Sequence, residues 1–201
     1  MDKFSQISIG NYATVALKQA EKESIEIETH EDIQDKLEIK NTNSKLKIGL
    51  NGRFSNIKRL HYTIYYRHIN NIEISGAVTL DSENKVVSDQ LTLKVSGASK
   101  MRLDVDTGKL YGSVSGASKI SLGGKAENAS FNASGASSLM TSELDISGKV
   151  QAEASGASKI DIGKSSAIDI TASGASKIQY LGQPEIKNQN VSGSSRVVSR
   201  K

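Results

Sequence analysis

The sequence predicts an all-β protein in which short strands wind into a parallel β-helix, a solenoid of stacked coils. A Ser-Gly-Ala-Ser phrase or a close variant recurs, and its glycines stand 21, 19, 19, 21, 18 and 19 residues apart. A fixed period near 20 residues is typical of solenoids. Apolar and polar residues alternate on both sides of each glycine, which indicates strands rather than helices. The glycines are Gly76, Gly97, Gly116, Gly135, Gly156, Gly174 and Gly193.

Two strands of each repeat place apolar residues at fixed distances from the glycine. Equivalent strands of successive coils pair about 4.8 Å apart, so residues at equivalent positions form columns inside the solenoid. Four residues after each glycine stand Leu80, Met101, Ile120, Leu139, Ile160, Ile178 and Val197. Two residues before it stand Ile74, Val95, Val114, Ala133, Ala154, Ala172 and Val191.

The phrase itself predicts a bend. Glycine permits a backbone with positive φ, or a close approach that a Cβ would block. If the alternation continues through the bend, the second serine of each phrase points inward, and its buried hydroxyl needs a hydrogen-bond partner. The alternative turns the alanine inward and both serines outward, and the internal serine column is the favoured interpretation. Its members are Ser99, Ser118, Ser137, Ser158, Ser176 and Ser195.

Two regions depart from the regular repeat. Residues 1–69 lack the phrase but contain alternating apolar pairs, so we expect wider coils or hairpins that cap the N-terminal end and continue into the regular repeats of residues 70–201. The two 21-residue repeats, 76–97 and 135–156, carry their extra residues in the variable stretch between strands. Small protrusions are expected there.

Composition excludes several classes of protein. The chain has 201 residues, no Cys and no Trp, so it has no disulfide, no cysteine-based metal site and no aromatic-rich surface for stacking nucleic-acid bases. No apolar run approaches a membrane span, and Met1-Asp2-Lys3-Phe4 lacks the apolar stretch of a signal peptide. No catalytic triad, phosphate-binding glycine loop or metal-ligand spacing occurs, so no cofactor, metal or nucleic-acid partner is predicted.

Charge gives the first candidate site. Residues 1–40 carry nine acidic and five basic side chains, whereas residues 41–201 carry 13 and 21. The residue directly after the phrase is a cation in five repeats, and Ser138 occupies this position in the remaining one. A sixth cation lies two residues after the first. Such a column either keeps the sheet surface soluble or binds an anionic polymer. The six are Lys100, Lys119, Lys159, Lys177 and Arg196, with Arg102 beside Lys100.

Two tyrosines give a second candidate. Tyr65 and Tyr111 occupy outward positions of their strands. An exposed aromatic ring can stack on a sugar ring, so both are candidate glycan contacts, although scattered surface tyrosines also occur without a function.

The repeats resemble the head GIN domain family of putative auto-transporter adhesins. The resemblance rests on the recurring Ser-Gly-Ala-Ser with an apolar-x-apolar strand after it, an opening from Phe4 to Leu17, and an ending from Tyr180 to Pro184 that leads to the last phrase. It implies a right-handed β-helix formed by one chain, exported to the outer membrane, periplasm or surface of a Gram-negative cell. It implies a glycan, matrix component or surface protein as partner, and it brings no catalytic or metal-binding residues.

Two other functions remain open at this stage. Many enzymes that cleave polysaccharides are β-helices, and glycoside chemistry needs two carboxylates about 5–9 Å apart. The best pair is Glu153 and Asp169, which we expect to be diagonal neighbours on one sheet. The other outward acids are Asp104, Asp106, Glu143, Asp145 and Asp161. The third function is a β-helix that forms structural polymers.

Overall fold

A computed structural model describes residues 1–52 and 60–200, which form seventeen strands and one helical turn. The N-terminal strands are β1 (Gln6–Ile9), β2 (Tyr12–Gln19), β3 (Ser24–Thr29), β4 (Leu37–Thr42), β5 (Lys45–Leu50) and β6 (Leu60–Tyr66), with α1 (Glu31–Gln34) between β3 and β4. The repeats form β7 (Asn71–Ile74), β8 (Ala77–Ser82), β9 (Val86–Val95), β10 (Lys100–Val114), β11 (Lys119–Ala133), β12 (Ser138–Ala154), β13 (Lys159–Ile162), β14 (Ser165–Ala172), β15 (Lys177–Leu181), β16 (Glu185–Val191) and β17 (Arg196–Arg200).

Each repeat pairs in parallel with the next, as predicted for a parallel β-helix. The segments before the phrase glycines stack in the order β7, β9, β10, β11, β12, β14 and β16, which we name the first sheet. The segments after the glycines stack in the order β8, β10, β11, β12, β13, β15 and β17, the second sheet. The middle parts of β10, β11 and β12 stack between them as a third side.

The interior columns predicted from the sequence are confirmed as far as Ala172 and Ile178. The expectation is wrong for Val191, which is 44% exposed in the last coil of the stack, and Val197 of that coil is half-buried. Ile120, Ile160 and Ile178 have no exposed surface. The register places Ile160 between Leu139 of the preceding coil and Ile178 of the following one. Like side chains therefore stack on like along the length of the core.

In one column a large side chain has small neighbours in the adjacent coils. An added Cβ at Gly112 would lie 3.1 Å from the ring of Phe131, its partner in the next coil. Phe131 is 1% exposed and faces Ala152 on its other side. The large ring thus occupies the space that the two small residues leave, which keeps the interior close-packed.

The phrase glycines adopt the left-handed conformation. All seven have φ between +67° and +86°. A Cβ on any of them would lie within 3.0 Å of the carbonyl oxygen at the same position of the preceding coil. That carbonyl accepts a hydrogen bond from the residue after the glycine, for example Ala136 N to Gly116 O at 2.9 Å. Asn11 occupies this position in the first coil at φ 70°, and asparagine is among the few residues that tolerate this conformation.

The internal serine column is confirmed. The second serine is at most 3% exposed in five consecutive phrases, whereas the alanine before it is exposed. The hydroxyls donate mainly to backbone carbonyls of a preceding coil: Ser118 Oγ to Gly97 O at 3.1 Å and Ser158 Oγ to Ala133 O at 3.0 Å. The buried hydroxyls are therefore satisfied.

The extra residues of the two long repeats lie where the sequence predicts them. In β12 the register with β11 shifts twice, once between Ser121 and Gly123 and again between Ala126 and Ala129. In the earlier long repeat, Asp81 pairs with Arg102 and Val86 pairs with Val105, so the turn between β8 and β9 is longer than its counterpart in β10.

The N-terminal strands do not stack in chain order. Strand β1 lies between β5 and β7, and β2 lies between β6 and β8. The outermost strands are antiparallel: β3 pairs with β6, and β4 pairs with β5. The β4–β5 hairpin turns at Asn43 and Ser44, both with positive φ, as the tightest hairpins require.

Two tyrosines of β6 point into this N-terminal coil. Tyr62 and Tyr66 are each 1% exposed. Neither hydroxyl has a hydrogen-bond partner among the described residues. Burial raises the pKa of both side chains to about 12.

The protein is therefore expected to lose stability at alkaline pH through these tyrosines. In the unfolded chain they ionise near their ordinary pKa of 10.0, so stability falls as the pH rises from 10 towards 12. The full loss is on the order of 2–3 kcal/mol per tyrosine. Denaturant midpoints measured against pH test this. Tyr62→Phe/Tyr66→Phe should keep its stability at neutral pH and show a shallower alkaline decline, and an equal decline would contradict the assignment.

Candidate ligand-binding surfaces

The basic column lies on the outer surface of the second sheet. The register places Lys100 opposite Lys119, Lys159 opposite Lys177, and Lys177 opposite Arg196. Ser138 fills the gap between Lys119 and Lys159. Lys159 is half-buried, and the others are exposed.

These five cations have no carboxylate within ion-pair distance in the part of the chain that the structure describes. Arg102, the sixth predicted residue, lies 3.8 Å from Asp81 across the coils. Stacked like charges without counter-charges attract anions from solution. The geometry thus presents a line of positive charge parallel to the solenoid axis.

The first sheet presents different chemistry outward. Most of its outward side chains are uncharged and polar, and we name this surface the polar face. Two of its acids are bound by amides of the next or preceding coil: Asn132 Nδ2 donates to Glu153 at 3.2 Å, and Asn188 Nδ2 donates to Asp169 at 3.1 Å. The polar face includes Thr92, Lys94, Lys109, Tyr111, Ser113, Asn128, Ser130, Asn132, Lys149, Gln151, Glu153, Asp169, Thr171, Asn188 and Asn190.

The structure separates the two predicted tyrosines. Tyr111 is 41% exposed on the polar face. Tyr65 is half-buried on β6, which lies beside the second sheet, and its hydroxyl donates to Glu26 at 3.2 Å. Burial and this hydrogen bond raise the pKa of Tyr65. The two rings therefore cannot serve one sugar-binding site together.

The two carboxylates of the pair proposed from the sequence are diagonal neighbours on the first sheet, as expected. Asp169 lies opposite Gln151, diagonal to Glu153. The Lys149 ammonium, which is bound to Asp169, and Asn188 hold the pKa of Asp169 below its ordinary value. A glycosidase acid needs a raised pKa so that it keeps its proton at neutral pH, and the environment of Asp169 does the opposite.

Asp161 is not the outward, exposed acid that the alternation predicts. It is 3% exposed and paired with Arg200, two coils further along. Alternation along a strand gives the direction of a side chain. It does not show that a long side chain from another coil will cover it.

An open recess of about 830 Å³ lies on the third side. Sequence reasoning misses it because the variable stretch has no repeated motif. Four acids line it: Asp89, Asp106, Glu127 and Asp145. No group of three or more His, Asp or Glu side chains within residues 1–52 and 60–200 is arranged to hold a metal ion. Within the same residues, no helix has the length and apolar character to cross a membrane.

Comparison with known proteins agrees with this architecture. The sequence model of a family described as "Putative auto-transporter adhesin, head GIN domain" matches residues 3–184. No curated protein matches the sequence. The fold is similar to that of a crystal structure of a putative adhesin from Bacteroides fragilis, with 21% identity, a TM-score of 0.91, and coverage of 99% of this chain and 93% of the other.

Two further crystal structures have similar folds. A putative adhesin from Parabacteroides merdae shows 21% identity and a TM-score of 0.75, with coverage of 100% and 93%. A putative lipid binding protein from Parabacteroides distasonis shows 15% identity and a TM-score of 0.79, with coverage of 100% and 94%. At these identities the likeness concerns the fold, and none of the three proteins is named as an enzyme.

Proposed function

The chain belongs to the head GIN domain family of putative auto-transporter adhesins, and we propose that it is an exported, non-catalytic β-helix that binds an anionic polymer at the cell surface. The adhesin names of the family and of similar structures support a binding role. The observation that carries the choice of ligand is the basic column, with its five cations free of carboxylates among the described residues.

The shape of the column suits a linear ligand. From Lys100 to Arg196 it crosses five coil-to-coil steps, a distance of about 24 Å at about 4.8 Å per step. An extended polyanion lying along the axis would meet one cation on nearly every coil. Such binding draws its free energy largely from the release of counterions, so it weakens steeply with salt. An anionic glycan of the envelope or matrix has this charge and shape.

Removing the column should weaken binding to heparin, a convenient anionic glycan. Changing Lys100, Lys119, Lys159 and Lys177 to Gln preserves the strands and removes four charges. Retention on a heparin column should drop, and the log–log slope of affinity against salt should fall by about 3. Stability should stay level or rise slightly, because neighbouring like charges are gone.

A matched variant controls for the net charge of +4. Four exposed lysines outside the column, changed to Gln together, remove the same charge from other surfaces: Lys47, Lys94, Lys125 and Lys164. If this variant loses as much retention as the column variant, binding reflects general positive charge and the proposal fails.

A further inference from the structure

Beside Tyr111 the polar face contains a recess of about 270 Å³. Ser130 is the register partner of Tyr111, and Gln151 is the partner of Ser130. The small serine thus lies between two long side chains that are two coils, or about 10 Å, apart. Tyr111 and Gln151 form the walls of a slot with Ser130 at its floor.

The slot has the groups that recognise an uncharged sugar. The exposed ring of Tyr111 offers a flat apolar surface, and the Gln151 amide offers both donors and an acceptor. The Asn128 amide oxygen already accepts a hydrogen bond from the Lys149 backbone N–H at 3.0 Å, so Asn128 offers mainly its NH2 donors. Lys149 also lines the recess but is bound to Asp169. Lys109 is the remaining cation of the lining and has no carboxylate partner among the described residues, so the salt dependence of binding must distinguish a neutral sugar from an anionic one.

The size of the recess limits the ligand. Pockets that bury drug-sized ligands have volumes of roughly 300–1,000 Å³, and this one lies just below that range. A single sugar ring, with the rest of its chain in solvent, matches the volume better than a larger ligand.

We propose that this slot binds one neutral hexose of a surface glycan, with glucose, mannose or galactose stacked on Tyr111 and its hydroxyls bonded to the amides of Asn128 and Gln151. The site lies on a different sheet from the basic column and does not depend on it. The chain would then hold two kinds of carbohydrate, a charged one on the second sheet and an uncharged one on the first.

The experiment is biolayer interferometry of the full chain against immobilised dextran, mannan and galactan, at low and high salt. At least one should bind the protein, and binding should persist at high salt. Tyr111→Ala should weaken that binding about tenfold, the loss expected for one aromatic stacking contact. Tyr12→Ala, which removes a tyrosine of similar exposure (45%) elsewhere, should bind like the wild type.

Three results would overturn the proposal: no binding to any of the three polysaccharides, disappearance of binding at high salt, or an equal loss in Tyr12→Ala. Since Tyr111 is exposed, its removal should leave the melting temperature unchanged. Heparin retention, measured in parallel, distinguishes the two sites. Tyr111→Ala should leave heparin retention unchanged. A loss of heparin retention in the Lys→Gln column variant supports the basic column, and it says nothing for this slot.

Discussion

Ile160→Asp is expected to abolish folding of the C-terminal repeats. Ile160 is fully buried and stacks between Leu139 and Ile178, its register partners in the neighbouring coils. Removing its side chain costs about 2–5 kcal/mol, and burying an unpaired carboxylate adds several kcal/mol more. The sum approaches the whole stability of a typical domain, about 5–15 kcal/mol.

Circular dichroism and thermal melting of the purified variant measure the effect. Ser138→Asp is the matched control, because Ser138 occupies an outward position of the preceding coil, between Lys119 and Lys159. The same charge placed there should leave the melting temperature unchanged or raise it. A native spectrum and melting temperature for Ile160→Asp would be incompatible with a packed solenoid core.

Gly135→Ala should lower the free energy of unfolding more than the same change at two other glycines. The three substitutions together distinguish the cost of a positive φ from the cost of placing a Cβ against a neighbouring carbonyl oxygen. Gly135 has φ +74°, and its added Cβ would lie 2.9 Å from Gly116 O. The left-handed conformation costs a non-glycine residue about 1–3 kcal/mol, and crowding against the carbonyl adds about 1–3 kcal/mol. A total of roughly 2–6 kcal/mol is expected.

The two other glycines provide the comparison. Gly182 has φ +82° but nothing within 4 Å of its added Cβ, so Gly182→Ala should show the conformational cost alone. Gly10 has neither feature, since its Cβ would make only ordinary contact with Ser75 at 3.7 Å. Urea denaturation midpoints should therefore fall in the order Gly10→Ala, Gly182→Ala, Gly135→Ala. Equal midpoints for the last two would show that the stacked carbonyl does not matter.

Features that repeat could be predicted from the sequence. The buried column through Ile160, the bend at Gly135 and the inward hydroxyl of Ser137 each recur once per coil, and stacking requires equivalent residues to share one environment. The basic column follows for the same reason, because the register that aligns the core also aligns Lys100 with Lys119.

Features that occur once could not be predicted. The burial of Asp161 beneath the Arg200 side chain depends on the conformation of that one long side chain. The slot beside Tyr111 depends on a small residue, Ser130, between two long ones. Asn11 takes the place of a phrase glycine, but no Ser-Gly-Ala-Ser surrounds it to mark the position.

The placement of β1 and β2 between later strands has a consequence for the order of folding. Strand β1 pairs with β5 and β7, so Ile7 finds its partners Leu46 and Ile72 only after those segments have been synthesised. The regular repeats pair with neighbours about 20 residues away, whereas β1 must close loops about two and three times that length to reach β5 and β7, at a higher entropic cost. Contacts of long sequence separation generally form late. Although β1 precedes its partners in the chain, we therefore expect it to be among the last strands incorporated, and the outer coil of β5 and β6 to stay unattached until then.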